Sequence, residues 1–302
     1  MPKNLPASIR EKLRKVARER NVEFGLILVK YGLERILYRL SRSVHRDVFI
    51  LKGALLFELW TNQRSRPTRD ADFLGRGDNS PERFAEIFRE LCRIETNLDG
   101  LRFDPDTVTA ERIAEDAQYE GVRVTFTAHL ERAQIPIQID IGFGDVVTPA
   151  AVEADYPTLL GSTSPRLLTY NRETAVAEKL EAMVKLGIAN SRMKDFYDIE
   201  ILSRTFSFDG QNLADAIQRT FERRGTALPA SGRALAFTPD FYDDANKVRQ
   251  WAAFSQKNRT FVEPIEFKTL ITRIARLLVP VIRSARHKSA FPKRWQPGGN
   301  WS

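Results

Sequence analysis

Residues 66–74 read Arg66-Pro67-Thr68-Arg69-Asp70-Ala71-Asp72-Phe73-Leu74. In an extended chain, side chains two apart leave the same face, so Asp70 and Asp72 point one way while Ala71 and Phe73 enter a core. Asp70–Leu74 is therefore expected to be a strand, closed by a turn around Gly75 and Gly77. Upstream, Val48-Phe49-Ile50-Leu51 reads as a short buried strand stopped by Lys52-Gly53, with a helix resuming over Ala54–Trp60. Downstream, Ser80-Pro81 opens a helix whose Phe84, Ile87, Phe88, Leu91 and Cys92 share one face, which makes Cys92 a core residue.

Two later runs carry the two-residue period of half-buried strands. Val122, Val124, Phe126, Ala128 and Leu130 alternate with Arg123, Thr125, Thr127 and His129, and Ile135–Phe143 repeats the pattern with Gln138, Asp140 and Gly142 on its second face. A few residues join them, so they are expected to form an antiparallel pair. Around this β-rich centre the period is helical. Ile9, Leu13, Val16 and Ala17 follow a Ser8 cap, Phe24–Leu40 continues after Asn21, and helices are expected at 173–187, 192–204, 212–224, 240–256 and 266–284, with a loop over Gly225–Pro239. The fold class is thus α+β: a mixed sheet with flanking helices over residues 1–164, then a helical domain over 165–302. Pro292, Pro297, Gly298 and Gly299 suggest a mobile tail.

Charge divides unevenly. Residues 1–52 carry thirteen Lys and Arg against five Asp and Glu, residues 53–160 eleven against twenty, and residues 161–302 twenty-three against fourteen. Basic flanks around an acidic centre suit a polyanionic substrate delivered to a metal-binding site, although a solvated basic surface gives the same pattern. No acidic residue follows Glu266, whereas eight Lys and Arg do. The composition, 42% hydrophobic and 28% charged, excludes global disorder. With one cysteine, no leader segment and no apolar run near the ~20 residues of a membrane span, the expectation is a cytoplasmic protein with no membrane contact.

If the strands of Asp70, Asp72 and Asp140 are neighbours, three carboxylates converge, which is costly without a counter-cation. Mg²⁺ takes such oxygens, and two ions can steady the attacking and leaving oxygens of phosphoryl transfer. The glycine at Leu51-Lys52-Gly53-Ala54 lets main-chain N–H groups approach a phosphate. His45, His129 and His287 lack metal-site spacing, and no G-x-S-x-G, Walker A or kinase signature is present.

The strand-to-helix Gly53-Ala54, the run Arg66-x-Thr68-x-Asp70-x-Asp72, the distant Asp140, the helix Glu173–Leu186 and the element Arg192–Ile199 together resemble the nucleotidyltransferase superfamily of the DNA polymerase beta type. The match is closest to the AbiEii/AbiGii toxin family, including the MenT-like toxins, and spans roughly residues 45–205. Ala54 stands where the superfamily often has Ser or Gly, and Thr68 where relatives have Ser. The resemblance implies a type IV toxin–antitoxin toxin that transfers a nucleoside monophosphate from an NTP, CTP or another pyrimidine NTP, to the 3′ end of tRNA, blocking aminoacylation and translation. It implies a phage-defence role, a cognate antitoxin and a monomer. Asp70, Asp72 and Asp140 are then the metal and catalytic acids. Lys52, Gly53, Ala54, Arg66, Thr68 and Lys179 bind the nucleotide, and Lys179 and Asp195 join the catalytic set.

Read from spacing alone, Lys179 falls within the apolar stripe of Val176, Leu180 and Met183, while Glu178, Glu181 and Lys185 lie outside it. An ion pair with Asp195 or Glu173 accounts for it as well as a phosphate does. Asp195 and Asp198 share the face that carries Ile199 and Leu202. Trp295 and Trp301, beside Lys293 and Arg294, are candidates for stacking on bases, although a disordered basic end is the simpler reading. Two other functions fit the residues: nucleotidyl transfer to a protein or small molecule, and RNA binding by a degenerate site.

Overall fold

Asn4, not Ser8, caps the first helix: its side chain accepts from the Ala7 N–H at 3.2 Å, and Pro6 sits in the opening turn of α1 (Leu5–Arg20). The computed structural model describes residues 4–61, 68–96, 99–116 and 119–302. It divides into two units, Met1–Gly144 with Val152–Thr169, and Asp145–Ala151 with Tyr170–Ser302.

In the first unit α1 is followed by α2 (Phe24–Ser41), β1 (Phe49–Lys52), α3 (Leu55–Thr61), β2 (Asp70–Gly75), α4 (Pro81–Arg93), β3 (Arg102–Asp116), β4 (Tyr119–Leu130), β5 (Ala133–Phe143), β6 (Val152–Asp155) and β7 (Arg166–Thr169). The strands form a mixed sheet in the order β3-β4-β5-β2-β1-β7-β6. The β2–β5 and β1–β7 pairs are parallel and the rest antiparallel. Phe49 makes edge-on contacts with Phe73, Phe84 and Phe88, tying β1, β2 and α4 into one core. Cys92 is buried there, and burial pushes its thiol up to about 12, which suits packing and not nucleophilic chemistry.

The expected pair of alternating strands is present as β4 and β5, joined by the two-residue turn Glu131-Arg132 with Glu131 at φ 53°. The sheet extends further than the alternation indicates. In β3 the register slips between Asp104 and Thr109, and Thr107 Oγ1 takes up the Thr127 N–H at 2.9 Å across the irregularity.

The second unit holds α5 (Arg172–Leu186), α6 (Met193–Thr205), β8 (Phe208–Asp209), α7 (Gly210–Arg224), α8 (Pro239–Tyr242), α9 (Ala245–Lys257), α10 (Phe267–His287) and β9 (Arg294–Trp295). The helix expected over 240–256 is two, because Asp244 leaves the helix and its carboxylate accepts from the Asn246 and Lys247 N–H groups at 2.9 and 3.0 Å, capping α9. The C-terminus is not a loose tail. β9 pairs with β8, Arg294 and Ser302 exchange main-chain hydrogen bonds, and Gly210 N–H donates to Lys293 C=O at 2.8 Å. Trp295 is buried with its indole N–H on Ser203 C=O at 2.7 Å, and Trp301 donates to Leu277 C=O at 3.0 Å. Both rings are spent on this packing, so base stacking by Trp295 is ruled out. Among the described residues no helix is long and apolar enough to cross a membrane.

Candidate active site

Strand register builds the site. β1 sets Lys52 opposite Asp72, β2 sets Asp72 opposite Asp140, β5 sets Asp140 opposite Arg123, and β4 sets Arg123 opposite Glu111. Residues directly opposite on neighbouring strands share a face, so one row of charge, Lys52-Asp72-Asp140-Arg123-Glu111, crosses five strands. Two residues back along β2 and β5, Asp70 stands opposite Gln138, which stands opposite Thr125. Carboxylate oxygens of Asp70, Asp72 and Asp140 lie within 4.8 Å of one another. The convergence expected from Asp-x-Asp and a distant aspartate is therefore present.

Each acid has defined neighbours. Arg123 grips Asp140 with two bonds, Nε to Oδ1 and Nη2 to Oδ2, each 2.8 Å, and these hold the guanidinium pKa above its ordinary value. Gln138 Nε2 adds a bond to Asp140 Oδ2 at 3.1 Å. Thr68 Oγ1 donates to Asp70 Oδ1. Gly53 has φ 77°, and a Cβ there would lie 1.9 Å from Asp72 Oδ2. Both the left-handed backbone and the carboxylate folded over it require glycine. Ala54 lies in the turn before α3, its carbonyl accepting the Phe57 N–H at 3.2 Å. Arg66 falls outside the described residues.

Three carboxylates at this spacing form an oxygen-only donor set of the kind Mg²⁺ takes. The donor set fits a divalent cation. His45 pairs instead with Glu90 at 2.7 Å and His129 lies 3.7 Å from Asp104, so neither histidine joins the acids.

In the second unit Lys179 Nζ lies 2.7 Å from both Asp195 Oδ1 and Asp198 Oδ2, with Arg192 Nε 2.8 Å from Asp195 Oδ2. Burial by itself would lower the lysine, but the two carboxylates outweigh it and its pKa is raised. Burial would likewise raise Asp195, but Lys179 and Arg192 outweigh it and that carboxyl is lowered. Acids of α5 that lie outside its apolar stripe are also covered. Glu181 is 2% exposed, and Arg224 binds Glu181 at 2.9 Å, Glu178 at 3.3 Å and Asp145 at 3.0 Å. Their shared partner, Arg224, lies 43 residues beyond Glu181 in the chain, so helical spacing gives no sign of it.

Arg123 and Gln138 are the residues the motif reading passes over. Their signal lies in the hairpin: with a two-residue turn after Leu130, register forces Arg123 opposite Asp140.

A mixed sheet presenting three acids from two adjacent parallel strands defines a nucleotidyltransferase-like domain. The family described as "Nucleotidyl transferase AbiEii toxin, Type IV TA system" matches residues 35–273, and the chain belongs to that family of nucleotidyltransferase toxins from toxin–antitoxin systems. Among solved structures, the chain is similar to a candidate nucleotidyltransferase from H. pylori, with 12% identity and TM-score 0.50 over 89% of this chain and 99% of that one. It is also similar to JHP933 from Helicobacter pylori, with 12% identity and TM-score 0.49 over 88% and 93%. At such identity the first likeness speaks for the fold alone. No curated protein matches the sequence.

Proposed function

We propose that this chain is a Mg²⁺-dependent nucleotidyltransferase that moves a nucleoside monophosphate from a pyrimidine NTP, such as CTP, to the 3′ end of tRNA, so that the tRNA no longer accepts an amino acid. The observation that carries the reading is the meeting of Asp70, Asp72 and Asp140 within 4.8 Å on one sheet face. An oxygen of the acceptor hydroxyl bonds to the α-phosphorus, the bond from that phosphorus to the bridging oxygen of the β-phosphate breaks, and pyrophosphate leaves. When bound, Mg²⁺ supplies charge neutralisation for the phosphates and for the attacking and leaving oxygens.

The chain's own groups do the remaining work. Asp70 and Asp72 hold the metal side of the site, with Thr68 orienting Asp70 and Gly53 giving Asp72 room. Asp140, fixed by Arg123 and Gln138, completes the metal site and takes the acceptor proton. Lys52, Gly53, Ala54, Arg66 and Thr68 hold the nucleotide. Lys179, ordered by Asp195 and Asp198, serves the phosphates. The basic stretches before Gly53 and after Glu266 meet the tRNA backbone. A cytoplasmic monomer restrained by a cognate antitoxin, acting in phage defence, completes the reading.

The test is incubation of the protein with each labelled NTP, Mg²⁺ and either total tRNA or tRNA-free lysate. Label is expected in tRNA, shortened by no nuclease step and removed by 3′ trimming. Asp70→Ala and Asp72→Ala are each expected to lose transfer by more than about 100-fold while keeping their far-ultraviolet spectrum, since removing mutually repelling acids does not cost fold. Label in lysate protein with none in tRNA overturns the acceptor, and undiminished transfer by both variants overturns the metal assignment.

A further inference from the structure

β2 starts at Asp70, opposite Gln138, so among the described residues no strand pairs with the part of β5 between the hairpin turn and Gln138 on that side. A groove of about 550 Å³ follows this stretch, within the size range of small-molecule sites. Its walls are Thr107, Thr125, Thr127, Gln134 and Gln138 on the sheet side and Leu26 with Val29 from α2. The charges on its rim, Arg69 and Glu23, are of opposite sign.

Peptide addition to the open edge is disfavoured by the backbone. The Thr127 N–H turns toward β3, where Thr107 Oγ1 accepts it. Pro136, opposite Thr127, therefore turns its main-chain groups away from β4 to the open edge, and proline has no N–H to offer there. A polyphosphate is equally unsuited to the described lining, where Arg69 and Glu23 leave no excess of cations. What remains is an uncharged, flat, hydroxyl-bearing and amide-bearing ligand held by neutral donors and acceptors over an apolar wall. The groove is also next to the acids: Gln138 lines it and donates to Asp140, and the Gln138–Thr125 row lies about 7 Å along the strands from the Asp140–Arg123 row.

We propose that this groove binds the nucleoside part, base and ribose, of one of the two reactants brought to the triad. The inference rests on the nucleotidyl-transfer reading, and two sources share its chemistry: the incoming NTP and the terminal nucleoside of the acceptor RNA. Thr125 and Thr127 are then specificity-determining residues.

The experiment has a binding arm and a kinetic arm. Saturation-transfer NMR on the full chain without metal, using cytidine, uridine, adenosine and guanosine as probes, compares the natural protein with Thr127→Trp, which fills the groove, and Thr125→Val, an isostere lacking the hydroxyl. The natural protein is expected to transfer saturation to at least one nucleoside, Thr127→Trp to none, and Thr125→Val less. In the transfer assay Thr127→Trp is expected to raise one KM about tenfold with kcat little changed, the signature of lost uniform binding. A rise in the NTP KM assigns the incoming nucleotide, and a rise in the RNA KM assigns the acceptor end. If Thr127→Trp melts well below the natural protein, Thr125→Val alone decides, with a KM rise of about three- to tenfold expected for loss of one hydrogen bond. Saturation transfer that both variants leave intact overturns the groove, whatever the transfer assay shows. Saturation transfer lost in the variants with no nucleotidyl transfer on any acceptor keeps the nucleoside groove and overturns the proposed reaction instead.

Discussion

Replacing Arg123 with methionine separates the two tasks of the charged row, holding Asp140 and tolerating the other acids without a bound ion. The guanidinium meets both Asp140 oxygens at 2.8 Å, and the two side chains are 36% and 10% exposed. Removing one member of a fully buried pair costs about 3–5 kcal/mol, and the partial exposure of Arg123, with Gln138 still on Asp140, reduces this to about 2–3 kcal/mol. Mg²⁺ bound at the triad, as proposed, would oppose that loss. It is expected to stabilise the natural protein by about 2.7 kcal/mol at a hundredfold excess over its Kd. With no guanidinium beside the ion, affinity in Arg123→Met is expected to rise about tenfold, adding about 1.4 kcal/mol. Hydrogen exchange over β2 and β5, with and without Mg²⁺ at matched ionic strength, reads both quantities. The reasoning fails if the metal-free variant exchanges like the natural protein, or if Mg²⁺ protects it no more than it protects the natural chain.

Lys179→Met leaves Asp195 and Asp198 buried as like charges, and a loss of about 3–5 kcal/mol in urea unfolding is expected. Because Asp195 is lowered, its contribution is present above the ordinary carboxylate range and lost as pH falls through its native value. Because Lys179 is raised, its share is present below the ordinary lysine range and lost only as alkali passes its native value. A pH series of unfolding midpoints that bends near neutrality in the second unit contradicts this. Glu34, 1% exposed, is pushed up to about 7 by burial, outweighing the Leu159 N–H on Oε2 and Arg35 at 3.5 Å from Oε1. Its native state then binds the extra proton, so stability declines as pH rises from about 4.5 to 7, and Glu34→Gln is expected to gain about 2–3 kcal/mol over the natural protein at pH 8.5 but not at pH 4; equal gains at both would show a packing effect. Trp295→Ala opens a large cavity and strips a donor from Ser203, so a loss of about 3–5 kcal/mol is expected by thermal and urea unfolding. Near-natural stability would return the C-terminus to the mobile tail its Pro and Gly content suggests.

The parts of the fold readable from sequence are those written in local period. Asp70-Ala71-Asp72 and the alternation across 122–143 place the acids because each side chain's face follows from residue count alone. β3 escapes because Asp104–Thr109 slips register and breaks the alternation over Asp104-Pro105-Asp106-Thr107, where Thr107 repairs the ladder with a side chain. β6 and β7 are four residues each, too short for a period to declare itself. On α5, Glu178 and Glu181 lie outside the apolar stripe, and nothing local announces that Arg224 will cover them. The tail misleads for a related reason: composition reports Pro and Gly, whereas the deciding fact is two indole N–H groups that find carbonyls on Ser203 and Leu277. Partners joined by no hairpin leave no trace in spacing.

The chain handles its carboxylates in two opposite ways, and the contrast bears on function. Asp195 and Asp198 share one lysine, and Arg192 stands beside the first, so burial and charge are balanced within the second unit. Asp72 and Asp140 stand side by side on adjacent strands, where like charges oppose pairing, and Asp70 adds a third one row away. Lys52 and Arg123 bracket that pair along the row, so the sheet can form with no ion bound. Bracketing does not remove the repulsion between the acids; it makes it tolerable. A sheet under no chemical demand would hold Val or Thr at these positions, which suit the pleat at no electrostatic cost. Three acids brought within 4.8 Å, with a glycine required beneath one of them and a bidentate arginine on another, are therefore a local violation of folding economy that the proposed divalent cation would compensate.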